Sequence, residues 1–275
     1  MGIVNVNDDS FCGDGTLDIS AALAQARQFV AQGADIIDVG AESARTNREP
    51  IPVAEEIQRL LPFVRGFQQW RSTADAALRR DAAQLWPPLL SLNIWRTEVA
   101  AAVLPHGGEI FNDISALPTA ANAVVCSQHA TALLIMHSVG APKVAHTHIQ
   151  HADIMATLEQ FFQEKIALAA SAGLPEEQML LDPGIDFAKQ RTDNLRILAQ
   201  LDRLHVFGRP ILVPVSRKSV IGQVLGLQNP LDRDAGTLAC LVAGLLRGAQ
   251  IFRVHHVSAA AQAVKVLHGV LAAET

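Results

Sequence analysis

Short β-branched, apolar runs alternate with longer stretches of helical period from one end of the chain to the other. Residues 3–6 predict a strand, after which Ile19, Ala22, Leu23, Ala26, Phe29 and Val30 recur on one helix face, with Asp18 placed to cap it and Gly33 to stop it. Residues 35–40 predict a second strand, and Ile57, Leu60, Leu61 and Val64 share a face of a helix over 53–67. Prolines 87 and 88 precede a third strand at 89–93. The alternation continues with helix 96–104, strand 109–114, helix 119–128, strand 132–137, helix 152–172, strand 178–182 and helix 191–203. Strand 210–216, helical segments within 217–247, strand 250–254 and helix 258–272 complete it.

These are eight strand–helix units, and eight units in about 250 residues is the arithmetic of an α/β (β/α)8 TIM barrel. A doubly wound open sheet is the rival. A barrel gathers its chemistry where the strands end, because the loops that follow them build the site. Asn5, Asp38, Asn93, Asn112 with Asp113, His137, Asp182, Ser216 with Arg217 and Lys218, and Arg253 with His255 make every strand end polar, which favours the barrel. Residues 71–85, rich in Ala and Arg, fall outside the rhythm and read as an insertion that extends the second helix or forms a small surface helix. With no linker or low-complexity tract, a single domain over 1–275 is expected.

Composition narrows the class. Of 275 residues 49% are hydrophobic, 18% charged and 5% aromatic, which describes a folded, aliphatic core and excludes disorder. A net charge of −5 carries no footprint of a nucleic-acid binder, so a polyanionic ligand must be captured locally. Cys12, Cys126 and Cys240 are odd in number and form no C-x-x-C pair, which argues against a disulfide framework or zinc knuckle and suits a reducing compartment. Without a long apolar run or a signal-like start, a cytoplasmic protein is expected.

Three segments carry chemistry. Asp182-Pro183-Gly184 closes a strand with a carboxylate on a proline turn; Ser216-Arg217-Lys218-Ser219 places two cations at another strand end; Arg253-Val254-His255 does the same at the last. Taken singly, D-P-G is usually a turn, S-R-K-S a capped helix start, R-V-H a paired structural arginine, and His137 a core histidine. Facing one another across a barrel mouth, they surround a planar, polar, partly anionic ligand: the carboxylate accepts two parallel N–H bonds, lysine donates to oxo and imine acceptors, and arginine stacks or forks onto phosphate.

The chain resembles the dihydropteroate synthases. That family's opening, M-G-I-L-N-V-T-P-D-S-F, stands here as Met1-Gly2-Ile3-Val4-Asn5-Val6-Asn7-Asp8-Asp9-Ser10-Phe11. Its G-A-D-I-I-D-I-G-G-E-S-T-R-P spans residues 33–46, with Glu42, Ser43 and Arg45 matching. N-D-I is Asn112-Asp113-Ile114, M-H is Met136-His137, L-D-P-G-x-G-F-G-K is residues 181–189, S-R-K-S is residues 216–219 and R-V-H-D-V is residues 253–257. The match runs from Gly2 to about residue 271.

The resemblance implies condensation of p-aminobenzoate with 6-hydroxymethyl-7,8-dihydropterin diphosphate, giving dihydropteroate and diphosphate by early C–O cleavage to a pterin-stabilised cation. It implies that Asp182 and Asn112 hold the pyrimidine edge, that Lys218 binds its oxo and imine acceptors, and that Arg253 stacks on the ring. Arg253, Asn5, Arg45 and His255 would manage the diphosphate, with Mg2+ on Asn5; Phe187 and Ser219 would seat p-aminobenzoate; Asp9, Ser10 and Arg45 would lie on loops that close over the site. Lys218, Arg253 and the residue at 93 are the expected catalytic positions. A homodimer is the usual family arrangement.

The departures are specific. S-V-D-T reads Ser91-Leu92-Asn93-Ile94, so a carboxylate expected to favour the cationic intermediate is an amide, a loss of about 10²–10³ in rate for an aimed contact. Thr-Pro reads Asn7-Asp8, the loop Thr and Pro read Ala44 and Thr46, two glycines around Phe187 read Asp186 and Ala188, and the Asp of R-V-H-D reads His256. The chain begins at the first strand, without the segment that usually seals the barrel bottom. An active or weakly active synthase is therefore expected. The alternatives are a paralogue that binds pterin without condensing it and a pterin-dependent methyltransferase domain. Lowered sulfonamide affinity is expected from the altered loops.

Overall fold

The computed structural model describes residues 1–8, 12–44, 46–144 and 146–273. Strands and helices alternate as β1 (Gly2–Asn5), α1 (Ile19–Ala31), β2 (Ile36–Gly40), α2 (Val53–Thr73), β3 (Leu89–Asn93), α3 (Thr97–Val103), β4 (Ile110–Asp113) and α4 (Ala121–His129). They continue as β5 (Ala132–Met136), α5 (Ile154–Ser171), β6 (Met179–Asp182), α6 (Arg191–Ala199), β7 (Leu212–Val213), α7 (Ser219–Leu225), α8 (Asp234–Leu246), β8 (Ile251–Phe252) and α9 (Val257–Ala272). Asp18 caps α1 as its sequence position predicts, accepting from Ser20 N at 2.8 Å.

β1 to β6 pair in chain order, all parallel, and β7 pairs with β8. Single parallel bridges, Leu181 with Ile211 and Gly2 with Val254, join the two sheets into a ring. The fold is the TIM barrel expected from the repeat. β7 and β8 are shorter than the expected strands 210–216 and 250–254, because Pro210 and Pro214 flank β7 and offer no N–H to a ladder.

Period-two alternation positions the site. The inward series Ile36-Asp38-Gly40, Ile110-Asn112, Leu180-Asp182 and Ile251-Arg253-His255 each begin apolar and turn polar toward the strand's end. Ile36, Ile110, Leu134, Leu180 and Leu212 form their own buried cluster in the lower barrel, apart from the larger core between strands and helices. A dry plug thus underlies a polar cup. Asp113 and His137 close their strands on the opposite phase and face the helix layer, where Asp113 accepts from Asn122 Nδ2 at 3.0 Å and His137 Nδ1 meets Lys189 at 2.8 Å.

α2 outruns its expected end at 67, continuing to Thr73 with Trp70 against Phe67 at 5.4 Å, and a short 3-10 turn, Ala76–Leu78, follows. Residues 80–85 then tuck beneath the barrel. Gln84, buried, donates to Val30 O at 2.8 Å and Ala34 O at 2.9 Å, and Arg80 donates to Gln32 O at 2.7 Å.

Candidate active site

The cup opens into a cleft of about 270 Å3. Asn5, Asn93, Asn112, Asp182 and Arg253 line it from inward strand positions, and Phe187, Lys218, Ser219 and His255 from the loops beyond. Arg45, Asp9 and Ser10 lie outside the described residues. A larger cavity, about 1110 Å3, opens at the other end of the barrel. Its cations are tied off within the fold, Arg80 on Gln32 O and Lys265 on Asp81.

Asp182 is buried, and Gly184 N donates to its Oδ1 at 2.7 Å. Burial drives its pKa up to about 6, against the opposing pull of that N–H and of Lys218, Lys189 and Arg253. Gly184 sits at φ +68°, and a Cβ there would meet His137 O at 1.9 Å, so this turn is closed to any larger residue. Burial also lowers the Lys218 and Lys189 ammonium groups, Lys189 to about 7. Lys189 Nζ bridges His137 Nδ1 and Phe187 O, fastening the loop after β6 to the end of β5.

Asp38 is fully buried and accepts from Ser91 Oγ at 2.6 Å, Arg253 Nε at 2.6 Å, Asn112 Nδ2 at 3.1 Å and Asn93 Nδ2 at 3.4 Å. It lies behind the cleft. Sequence reading placed it at a strand end without a role, although a carboxylate in an apolar strand buried at every position signals the need for several donors.

His255 is held by Ser216. The Ser216 hydroxyl accepts from His255 N at 3.1 Å and meets Nδ1 at 2.8 Å, and Nε2 stands 4.0 Å from Asp14; with the hydroxyl donating to Nδ1, Nε2 carries the hydrogen. Burial lowers its pKa to about 4, so the ring is a neutral donor. Of the two cations expected from S-R-K-S, only Lys218 reaches the cleft; Arg217 forks onto Asp234 at 2.7 and 2.9 Å. His256 joins the same carboxylate at 3.2 Å.

On the rim, Lys218 Nζ stands 4.6 Å from the Phe187 ring centroid. Asp186 and Ala188 adopt φ +69° and +50°, the left-handed conformations that the glycines of the resembled motif would take without strain. The Asp186 carboxylate accepts from Ser219 N and from Val220 N at 3.3 Å. Behind the second loop, buried Glu42 pairs with Arg96 at 2.9 Å and Lys143 at 3.1 Å.

A family model described as pterin binding enzyme matches residues 1–255. The dihydropteroate synthase of Escherichia coli strain K12 is 35% identical over 275 residues, all of this chain and 92% of that protein. The Yersinia pestis dihydropteroate synthase, solved with a sulfonamide drug complex, superposes with a TM-score of 0.87 at 32% identity, over 99% of this chain and 93% of that one. The Xanthomonas albilineans dihydropteroate synthase, solved with 4-aminobenzoic acid, gives 0.85 at 32% identity, over 99% and 92%.

Proposed function

We propose, for a chain that belongs to the pterin-binding enzyme family and within it to the dihydropteroate synthases, the condensation of 6-hydroxymethyl-7,8-dihydropterin diphosphate with p-aminobenzoate to dihydropteroate and diphosphate. The observation that carries this reading is one cleft holding acceptors on one wall and cations on another. Asp182 accepts the paired N–H groups of a 2-amino-4-oxo-pyrimidine, and Asn112 adds a further contact on the same edge. Lys218 donates to the oxo and imine acceptors, and Arg253 flanks the ring. His255 Nε2–H would face a departing diphosphate oxygen when the Ser216 hydroxyl donates to Nδ1. Phe187 and Ser219 form the seat for the aromatic amine. These residues act by orientation and charge neutralisation, since early C–O cleavage asks for no protein nucleophile.

Asn5 donates its amide N–H to Asp14 Oδ1 at 3.2 Å, so the two side chains meet at the end of β1, and a turn of the amide would bring its oxygen beside the carboxylate. That hard oxygen pair fits Mg2+, which characteristically takes one or two protein oxygens beside substrate phosphates. Asn5 and Asp14 would hold the ion, which would neutralise charge on the leaving diphosphate.

A second reading rests on Asn93, an amide where the resembled motif has a carboxylate: a paralogue that binds pterin and releases no product. Mass spectrometry of a reaction with both substrates and Mg2+ decides. Dihydropteroate formation supports the synthase, and its absence from folded, pterin-binding protein supports the paralogue.

We further infer a single domain over 1–275, with residues 71–85 an insertion that packs against the barrel bottom through Gln84 and Arg80. A homodimer is proposed: α8 and α9 expose Leu246, Val266 and Val270, apolar area suited to a second copy, which light scattering would test. No helix among the described residues is long and apolar enough to cross a membrane, and with Cys12, Cys126 and Cys240 all free this supports a cytoplasmic enzyme.

A further inference from the structure

We propose that Asp38, which does not line the cleft, is a positioning residue that sets the polarity of the pterin-facing wall by orienting the Asn112 amide and holding the Arg253 guanidinium. The inference rests on the pterin reading of the cleft. An ionised carboxylate only accepts hydrogen bonds. Asn112 Nδ2 stands 3.1 and 3.3 Å from the two Asp38 oxygens, so the reversed amide would set oxygen against oxygen with no proton between them. The amide is fixed with nitrogen toward Asp38. Its Oδ1 is buried and finds no partner among the described residues, and because Asn112 lines the cleft while Asp38 stands behind it, that oxygen belongs to the ligand.

Asn112 and Asp182 then form a wall of acceptors, which takes only a ligand edge that presents N–H donors. Arg253 is committed by the same carboxylate, its Nε held at 2.6 Å, so the terminal nitrogens remain for the cleft. Asn93 also gives its amide N–H to Asp38, at 3.4 Å, and Ser91 its hydroxyl, at 2.6 Å. Asp38 is thus the single acceptor on which three cleft-lining side chains converge.

Calorimetry of the full chain with 6-hydroxymethylpterin and with its 2-deamino analogue tests this. Asp38→Asn is expected to weaken the pterin about 10–100-fold, the scale of losing an orienting partner, and the deamino analogue less than about threefold, so that discrimination narrows. Asn112→Ala is expected to cost the pterin at least about tenfold, and in that background Asp38→Asn should cost at least about fivefold less than it does alone. Equal losses in both backgrounds, or an unchanged pterin affinity in folded Asp38→Asn, overturn the role. Should Asp38→Asn not fold, as judged by its thermal melt, Asn112→Ala still decides: equal losses for pterin and analogue overturn the acceptor assignment. Wild-type protein that binds no pterin sinks the underlying reading, whereas wild type that binds it, with Asn112→Ala weakened and Asp38→Asn unchanged, sinks only the role of Asp38.

Discussion

The floor of the cleft and its rim are built on different principles. On the floor, Asn112 and Asp182 stand buried on strands and Arg253, half-buried, directly follows β8, all inward by alternation and backed by Asp38, each fixed by a partner on another strand or its own turn. On the rim, Phe187 stands on a loop and Ser219 at the start of α7, beside left-handed backbone at Asp186 and Ala188, and the altered positions of the resembled motifs other than Asn93 lie in loops. In the proposed reading the floor would recognise a heterocycle by hydrogen bonds that its strands fix, and the rim would contribute charge and cover. Substitution should therefore be costly below and tunable above.

The largest effect expected is at Asp182. Asp182→Asn removes a carboxylate that no amide can replace, because one of its two acceptors becomes a donor, and pterin affinity should fall at least about a hundredfold. Its melting temperature should hold or rise, since the folded protein penalises the ionised form; a parallel loss of stability would show that Asp182 is structural. Next is Asn93→Asp, expected to raise turnover about tenfold with little change in pterin affinity. Its gain is limited by Asp38, 3.4 Å from the Asn93 nitrogen, whose charge a second carboxylate must share through Arg253. Unchanged turnover would show that the missing charge is not at residue 93.

The pH dependence follows from the same floor. Asp182 has its pKa raised to about 6, so its stabilising contribution is present while it is protonated and fades as pH rises through 6; ligand binding, which needs the carboxylate, runs the opposite way. Pterin affinity should rise about fivefold from pH 5 to 6 and about twofold more by pH 7 before it levels, and Asp182→Asn should flatten the profile.

Rim predictions are smaller. The Asp186 carboxylate sits against Ser219 N on the wall proposed to receive p-aminobenzoate, an anion, and would repel it by about 1 kcal/mol. Asp186→Asn should lower KM for p-aminobenzoate and the inhibition constant of a sulfonamide several-fold, leaving pterin affinity unchanged; a change confined to pterin would reverse the division drawn here. Ala188→Gly relieves a left-handed alanine and should add about 1 kcal/mol of stability, a few degrees of melting temperature.

Most of the floor is legible in the sequence, since eight apolar runs ending in polar residues specify both the barrel and the end that carries chemistry. Direction was the harder matter. Asp113 and His137 end their strands as Asn112 and Asp182 do, yet lie one residue out of phase, and a one-residue shift turns a side chain to the other face. Asp38 was visible as a polar residue in an apolar strand, but its partners at 91, 93, 112 and 253 come from three other strands and meet only when the ring closes. Arg217 and Lys218 could not be separated by sequence, because the left-handed φ of +57° at Arg217 sends its side chain to Asp234. On the rim, the glycine replacements at 186 and 188 marked a change without revealing that Asp186 would anchor α7.

Whether a floor with Asn93 in place of a carboxylate still drives condensation is read from the diphosphate released from 6-hydroxymethyl-7,8-dihydropterin diphosphate with Mg2+, in the presence and absence of p-aminobenzoate. Release above background, equal to the dihydropteroate formed, is expected when both substrates are present. Folded protein that binds the pterin yet releases no diphosphate with p-aminobenzoate would contradict it.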